Sequence, residues 1–358
     1  MKKTCCVLLL VILLCCAAAC RGEAENEEMN EFDETKEKMM ETAVAEVTEM
    51  TEQESVKPSP AKLTVTEIGG QSPDGRNEGL FVYKTSEGTE LSMYVVQPEK
   101  QVYEYSPVLV NILGGGWTHH EVTAYYGYLL RGNELSREGY AGITVSYRGS
   151  DNGETMPDII ADVVDALGYI YRYNELFKID LNRIVMVGQS AGGHVGLMIA
   201  SAPKEMILEH CAYNDGEFDY HVIGTVAMVP PTMLYIDEET QTQLFPTWWQ
   251  GIPILGHLFG SGANAAIDAT PFVKYSPITY VRADMPPVLI GVGDKDPIVS
   301  PEQSYKYYEV AKAAGAQCDM IILQNADHSF QPVDGAKIAP TVEEFHNAAY
   351  EFVSGLLK

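Results

Sequence analysis

The segment that most constrains the fold of this chain is residues 188–192, Gly-Gln-Ser-Ala-Gly. The apolar, β-branched run 184–187 before it is typical of a buried strand, and the apolar run 195–200 after it is typical of a helix. A serine on so tight a strand-to-helix turn has a strained backbone, and glycines two residues away on either side remove the collisions that larger residues would make. The sequence therefore predicts that Ser190 Oγ projects from the edge of a sheet as a nucleophile.

A base for that serine is expected further along the chain, since a serine hydroxyl attacks well only when a base takes its proton. The acid and then the histidine follow the serine in chains with this motif. Of the downstream histidines, only His328 lies in a short loop directly after a predicted strand. His194 is predicted to be a packing or capping residue, and His346 is predicted to be structural within the last helix. His328 is therefore the predicted general base.

The carboxylate that orients the histidine is predicted from residues 291–297, Gly-Val-Gly-Asp-Lys-Asp-Pro, which follow an apolar strand. Two carboxylates are available there. Asp296 is the predicted third member of the triad, and Asp294 is the alternative, with a role in capping the turn if Asp296 is correct. The carboxylate must be ionised and must hold the imidazole Nδ1–H so that Nε2 faces the serine.

Three glycines, residues 114–116, follow the apolar strand predicted at 108–113. Bare backbone N–H groups in such a loop can approach the negative oxygen of a tetrahedral intermediate. The predicted donors of this oxyanion hole are the N–H groups of Gly115, Gly116 and Ala191, the last being the residue after the nucleophile. A phosphate-binding loop is excluded because no Lys-Ser or Lys-Thr pair follows the glycines.

The pattern of elements predicts an α/β fold for residues 63–358. Early segments alternate apolar and polar residues, as antiparallel strands do, whereas later strands alternate with helices, the clearest helix being 158–174. We therefore predict a mostly parallel central sheet with helices on both faces. Periodicity is lost at about 230–275, which predicts an inserted cap over the site.

The first 62 residues have a different composition from the rest. Residues 1–19 combine two lysines with an apolar stretch, as in a signal peptide, and end before Cys20 in a sequence similar to a bacterial lipobox. Cys20 is the predicted lipidation site, which predicts an extracytoplasmic, cell-surface lipoprotein; a secreted protein is the alternative. Residues 20–62 are acidic and poor in aromatics, so a disordered tether is expected.

The formal net charge of −26 argues against nucleic acid and anionic lipid surfaces as partners, so membrane contact is expected only through the lipid anchor. No zinc, calcium or P-loop spacing occurs, and neither a metal nor a cofactor is predicted. Cys211 and Cys318 either pair in an oxidising compartment or stay as buried thiols; the sequence leaves both open.

Residues 113–117, Leu-Gly-Gly-Gly-Trp, resemble the His-Gly-Gly-Gly-Trp motif of the carboxylesterase/lipase branch of α/β-hydrolases, which includes the hormone-sensitive-lipase and BD-FAE-like esterases. The resemblance extends in order from about residue 91 onward, over these segments: 146–148, Pro157 with Asp162, 188–194, 276–277 with 286–287, and 293–299. Leu113 stands where the family has a histidine that braces the oxyanion loop. His119 or His120 could substitute for it, although a surface-loop role is the alternative.

The resemblance implies an α/β-hydrolase fold and a serine hydrolase that cleaves short-acyl carboxylic esters through an acyl-enzyme. The expected substrate is a small-molecule or carbohydrate ester, by analogy with polysaccharide deacylation. Trp117 is predicted to contact substrate, and core packing is the alternative. Two other functions stay open: a peptidase or amidase with the same triad, and a non-catalytic surface binding module on a hydrolase scaffold.

Overall fold

The computed structural model describes residues 78–86, 88–122, 134–150, 153–235, 258–259 and 269–357, all of which belong to one unit that spans 57–358. The predicted signal peptide, Cys20 and the tether lie outside the described residues and stay predictions. Within the described ranges, no helix is long and apolar enough to cross a membrane.

An eight-stranded sheet forms the centre of the described unit, in the order β1-β2-β4-β3-β5-β6-β7-β8. The strands are β1 Gly79–Ser86, β2 Thr89–Val96, β3 Ser106–Ile112, β4 Ala141–Val145, β5 Ile179–Gln189, β6 Val222–Met228, β7 Val288–Gly293 and β8 Cys318–Leu323. β1 pairs with β2, and β2 with β4, in antiparallel fashion, and every other pair is parallel. The predicted mostly parallel sheet is confirmed.

Burial explains the two kinds of strand. β1 and β2 alternate buried and partly exposed residues, whereas β3, β4 and β7 are buried along their whole length. Strands covered on both faces are mostly apolar along their length, and strands with one solvated face need only every second residue to be apolar. The sequence pattern therefore separates the antiparallel edge of the sheet from its parallel centre.

Eight α-helices and two short 3₁₀ turns occur among the described residues. The helices are α1 Glu134–Arg137, α2 Met156–Arg172, α3 Asn174–Phe177, α4 Ala191–Ser201, α5 Lys204–Leu208, α6 Thr270–Lys274, α7 Pro301–Ala313 and α8 Val342–Gly355; the 3₁₀ turns are Pro277–Tyr280 and Val333–Gly335. The helix predicted at 158–174 is α2. It begins two residues earlier, because the Asp158 carboxylate accepts hydrogen bonds from the backbone N–H and the hydroxyl of Thr155.

Successive residues of the central strands face opposite hydrophobic clusters. Ile184 and Met186 lie in the cluster that contains α2, α4 and α7, whereas Val185 and Val187 lie in the cluster that contains α1 and α8. Because side chains alternate across a strand, the two clusters occupy the two faces of the sheet. The prediction of helices on both faces is confirmed.

An ionic cluster joins the first strand to α2. The Lys84 ammonium lies 2.7 Å from Asp162 Oδ1 and 2.6 Å from Asp165 Oδ2, and both carboxylates are fully buried. Arg148 Nε donates to Asp162 Oδ2 at 2.8 Å. Burial raises the pKa of Asp165 to about 6 against the lowering effect of Lys84. Arg148 and Asp162 belong to segments that resemble the family's sequence. Lys84 and Asp165 are further members of the ionic cluster, which the structure shows.

Both ends of the predicted cap pack on the sheet domain. The Gln303 side-chain oxygen accepts the N–H groups of Thr232 and Met233 at 2.6 and 2.9 Å, and Ser276 Oγ accepts the N–H of Leu234 at 2.8 Å. Most of the segment between these ends lies outside the described residues, so the cap stays a prediction. Cys211 and Cys318 are both buried free thiols, which resolves the alternative left by the sequence.

Candidate active site

Ser190 lies on the turn between β5 and α4 with φ 53° and ψ −123°. Its backbone N–H donates to Met228 O at 2.8 Å, which anchors the turn to β6. A Cβ at Gly188 would lie 2.3 Å from the Gly192 carbonyl carbon, and a Cβ at Gly192 would lie 2.1 Å from Ile112 O. A positive φ at a non-glycine residue stores about 1–3 kcal/mol and occurs where the surroundings impose it. The predicted serine turn is confirmed.

Asp296 and His328 come from the loops after β7 and β8 and meet directly. His328 Nδ1 lies 2.6 Å from Asp296 Oδ2, and the Asp296 side chain has no exposed surface. Asp296 Oδ1 accepts the N–H groups of Ile298 and Val299 at 2.8 and 3.0 Å. Because each carboxylate oxygen has its own donors, the carboxylate holds one orientation and the imidazole is fixed through Nδ1.

The alternative acid, Asp294, has a different role. Its Oδ1 accepts the backbone N–H of Asn325 at 2.5 Å, and its Oδ2 lies 3.4 Å from the Lys295 ammonium. Asp294 therefore ties the end of β7 to the loop after β8, as the capping alternative predicted. The structure brings Asp296, and not Asp294, to the histidine.

Gln189 links the serine turn to the histidine loop, a contact that the sequence alone does not predict. Its side-chain Nε2 donates to the His328 backbone oxygen at 2.9 Å. This bond fixes the loop that carries the imidazole against the residue next to Ser190. Its position, directly before the serine of the motif, is the only sequence signal that could have marked it.

A Gln189→Glu variant is expected to lower kcat about tenfold, because a carboxylate cannot donate to the His328 carbonyl and a partly buried acceptor would face another acceptor. KM and the melting temperature should change little, since the substitution keeps the side-chain volume. Steady-state kinetics on a short ester, beside Gln324→Glu on the same edge of the sheet as a surface control, measure the effect. Equal kcat in the Gln189 variant and the parent would contradict this role.

Among the residues that the structure describes, no hydrogen bond joins Ser190 Oγ to the His328 imidazole. Ser190 is 8% exposed and the His328 side chain 12% exposed, so water has limited access to both. Catalytic hydrogen bonds are often long in a free enzyme and tighten when substrate binds.

The glycine loop after β3 lies beside the serine. A Cβ at Gly114 would lie 3.5 Å from Ser190 Cβ. Gly115 O accepts the Thr118 N–H at 3.3 Å, which closes a turn with positive φ at both central residues, 67° at Gly116 and 58° at Trp117. Turns of type I′ have this feature and favour glycine. Ala191 begins α4, where backbone N–H groups lack partners within the helix.

Trp117 is a core residue, and the prediction that it contacts substrate is wrong. Its side chain has no exposed surface, and its indole N–H donates to His194 Nδ1 at 3.2 Å. His194 Nε2 in turn lies 2.7 Å from the Tyr275 backbone oxygen. Since Nδ1 accepts a hydrogen bond and Nε2 must donate one to a carbonyl, the imidazole is neutral, in line with burial lowering the pKa of His194 to about 4. His194 packs under the glycine loop, as predicted.

Other groups brace the glycine loop where the family has its histidine. Leu113 O accepts the Tyr147 hydroxyl at 2.8 Å, and His119 Nδ1 donates to Tyr147 O at 2.7 Å. His120 Nε2 occupies the space above Gly115, 2.1 Å from where a Cβ would lie. Both histidines therefore contact the loop or its support. His119 is partly buried, whereas His120 is exposed, so the surface-loop alternative holds for His120.

Within the part of the chain that the structure describes, no group of three or more His, Cys, Asp or Glu side chains could hold a metal ion. The site as described consists of a strained serine, a histidine–carboxylate pair and a glycine loop at the carboxyl edge of a parallel sheet.

The order of the sheet and the placement of these groups after β3, β5, β7 and β8 define an α/β-hydrolase. Solved structures agree on the fold: the apo form of Thermogutta terrifontis esterase 2 is 20% identical, with a TM-score of 0.56 over 81% of this chain and 98% of that one. The BD-FAE family model matches residues 93–310, more than half of the chain, and the chain belongs to this family.

Two of the similar proteins carry names of ester hydrolases. The probable carboxylic ester hydrolase LipM of Mycobacterium tuberculosis is 26% identical over 258 residues, which are 71% of this chain and 57% of that protein. The acetylxylan esterase of Xylanibacter ruminicola is 24% identical over 62% of this chain and 40% of its own length. The chain thus spans little more than half the length of the mycobacterial relative and less than half of the acetylxylan esterase.

Proposed function

We propose that the protein hydrolyses carboxylic esters, with Ser190 as nucleophile, His328 as general base and then general acid, and Asp296 as the group that orients the histidine. The observation that carries this proposal is the 2.6 Å contact of His328 Nδ1 with a fully buried carboxylate, in a loop held to the serine turn by Gln189. A buried carboxylate on Nδ1 leaves Nε2 free to take a proton, which is what a serine nucleophile needs.

The reaction would proceed in two halves. Ser190 Oγ attacks the acyl carbon as its proton moves to His328 Nε2, and the carbonyl oxygen becomes an oxyanion held by backbone N–H groups of Gly115, Gly116 and Ala191. The histidine returns its proton to the departing alcohol, and an acyl-serine remains. Water then loses a proton to His328, attacks the acyl carbon and releases the carboxylic acid.

We propose a short acyl group and an alcohol that belongs to a small molecule or a carbohydrate. Support comes from the names of similar proteins, namely an acetylxylan esterase and a structure of Thermogutta terrifontis esterase 2 with propionate bound, which is 20% identical to this chain.

The test is activity-based labelling with a fluorophosphonate, together with hydrolysis of nitrophenyl acetate and butyrate. The parent should label and hydrolyse both esters, and Ser190→Ala should do neither, because no other hydroxyl occupies the strained turn. Ser329→Ala is the matched control, since this serine is exposed, follows His328 directly and should label as the parent does. A folded parent that neither labels nor hydrolyses would support the binding-module alternative, and faster cleavage of nitroanilides than of esters would support the amidase.

A further inference from the structure

The loop after β3 lies beside the serine turn, where a Cβ at Gly114 would be 3.5 Å from Ser190 Cβ. Three groups there form a chain of hydrogen bonds. Thr118 Oγ1 lies 2.6 Å from Gly115 O and 3.2 Å from His120 Nε2. The Gly115 carbonyl also accepts the Thr118 backbone N–H at 3.3 Å.

The direction of these bonds follows from the number of protons. A hydroxyl has one proton, and a carbonyl oxygen only accepts, so Thr118 Oγ1 donates its proton to Gly115 O. The oxygen of Thr118 must then accept from its other partner, which makes His120 Nε2–H a donor. The chain therefore runs from the His120 imidazole through the Thr118 hydroxyl to the Gly115 carbonyl.

The far end of this chain is the peptide group that would bind the oxyanion. The C=O of Gly115 and the N–H of Gly116 belong to one trans peptide, so they point in opposite directions. With the carbonyl held by Thr118, the N–H of Gly116 points away from the turn. A hydrogen bond accepted by the carbonyl polarises the peptide and strengthens the bond its N–H donates, by about 10–30% for each bond in the chain.

We propose that His120 and Thr118 are positioning residues that orient and polarise the Gly115–Gly116 peptide for stabilisation of the oxyanion, an inference that rests on the proposed ester hydrolysis. The family's histidine, at the position of Leu113, would support this loop from its N-terminal side. In this chain His120 and Thr118 support it from the C-terminal side. His120 also fills the space a Cβ on Gly115 would need, so the imidazole and the bare glycine fit each other.

The first experiment compares Thr118→Val, which keeps the shape and removes the hydroxyl, with Thr118→Ser, which keeps the hydroxyl. Losing an oxyanion donor outright lowers kcat about 10²- to 10³-fold. The Thr118→Val variant keeps the donor but loses its orientation, so we expect about a tenfold lower kcat, less than a twofold change in KM and a slower fluorophosphonate reaction. Thr118→Ser should restore most of the loss.

The second experiment separates hydrogen bonding from packing at His120. His120→Phe keeps a ring above Gly115 but cannot donate, and it should lower kcat about as far as Thr118→Val. The double variant should be no slower than the worse single variant, because both substitutions interrupt one chain. Melting temperatures within about 2 °C of the parent would show that folding is intact.

The outcomes are distinct. An active parent with unchanged kcat in Thr118→Val and His120→Phe overturns the proposed chain and leaves the ester hydrolase standing. A lower kcat in Thr118→Val that Thr118→Ser does not restore also overturns it. An inactive, unlabelled parent overturns the proposed function and this inference together.

Discussion

An Asp296→Asn variant is expected to lose about four orders of magnitude in kcat while it keeps its fold, as triads do when the imidazole is held in the wrong tautomer. The reason is that the two oxygens of the Asp296 carboxylate have different hydrogen-bond partners. Oδ1 accepts the N–H groups of Ile298 and Val299, whereas Oδ2 faces His328 Nδ1. An asparagine must keep its oxygen on the two N–H donors, which turns its NH₂ toward the histidine.

The orientation of the asparagine amide determines which nitrogen of the His328 imidazole carries the proton. An NH₂ group donates, so His328 Nδ1 would become an acceptor and the ring proton would move to Nε2. Nε2–H cannot take the proton of Ser190. Steady-state kinetics should show the loss in kcat with little change in KM, and fluorophosphonate labelling should slow to the same extent.

Asp294→Asn is the matched control, two residues away and after the same strand. Its oxygen can still accept the Asn325 N–H, and only a partly exposed contact with Lys295 is lost, which contributes little. We expect kcat within about threefold of the parent, because the contact of Asp296 with His328 and the bond of Gln189 to the His328 carbonyl are both kept. Comparable losses in the two variants would contradict the assignment of the acid.

The choice between these two carboxylates marks the limit of what sequence could predict here. Strand, turn and order along the chain placed the serine, an acid loop and the histidine at one edge of the sheet, since the carboxyl ends of parallel strands meet there. The sequence favours Asp296 by its position before Pro297-Ile298-Val299, but Asp294 has the same side chain only two residues earlier, after the same strand. The distinction depends on the partners of each carboxylate. Asp294 accepts the backbone N–H of Asn325, which lies after another strand, β8, and is therefore not adjacent in sequence.

Trp117 and Lys84 illustrate the same limit over longer distances. An aromatic residue after three glycines could face a pocket or the core, and the positive φ of Trp117 turns the indole under the loop, onto His194. Lys84 meets Asp162 and Asp165, which lie 78 and 81 residues further along the chain, in the buried cluster. Periodicity predicts which face a residue occupies, but a partner so distant in sequence depends on the complete sheet.

The second large effect is expected in stability. A Gly192→Ala variant should lose at least about 3 kcal/mol of unfolding free energy, the upper end of the usual range for overpacking. The added Cβ would lie 2.1 Å from Ile112 O and 2.9 Å from Leu113 O, both backbone atoms of the strand and loop that hold the glycine loop. Backbone carbonyls cannot rotate away as side chains can, so α4 must shift relative to β3.

Gly196→Ala, one turn further along α4, is the matched control. Its Cβ would lie 3.4 Å from Met186 Cβ and 3.6 Å from Ile112 Cδ1, which are ordinary contacts. Alanine is favoured over glycine within a helix by about 1 kcal/mol, so this variant should be as stable as the parent or more so. Urea unfolding measures both. The two substitutions add the same methyl group to the same helix. A difference of about 4 kcal/mol between their unfolding free energies would therefore arise from the close approach of the serine turn to β3. Equal unfolding free energies would show that α4 can move away from β3 without loss of stability.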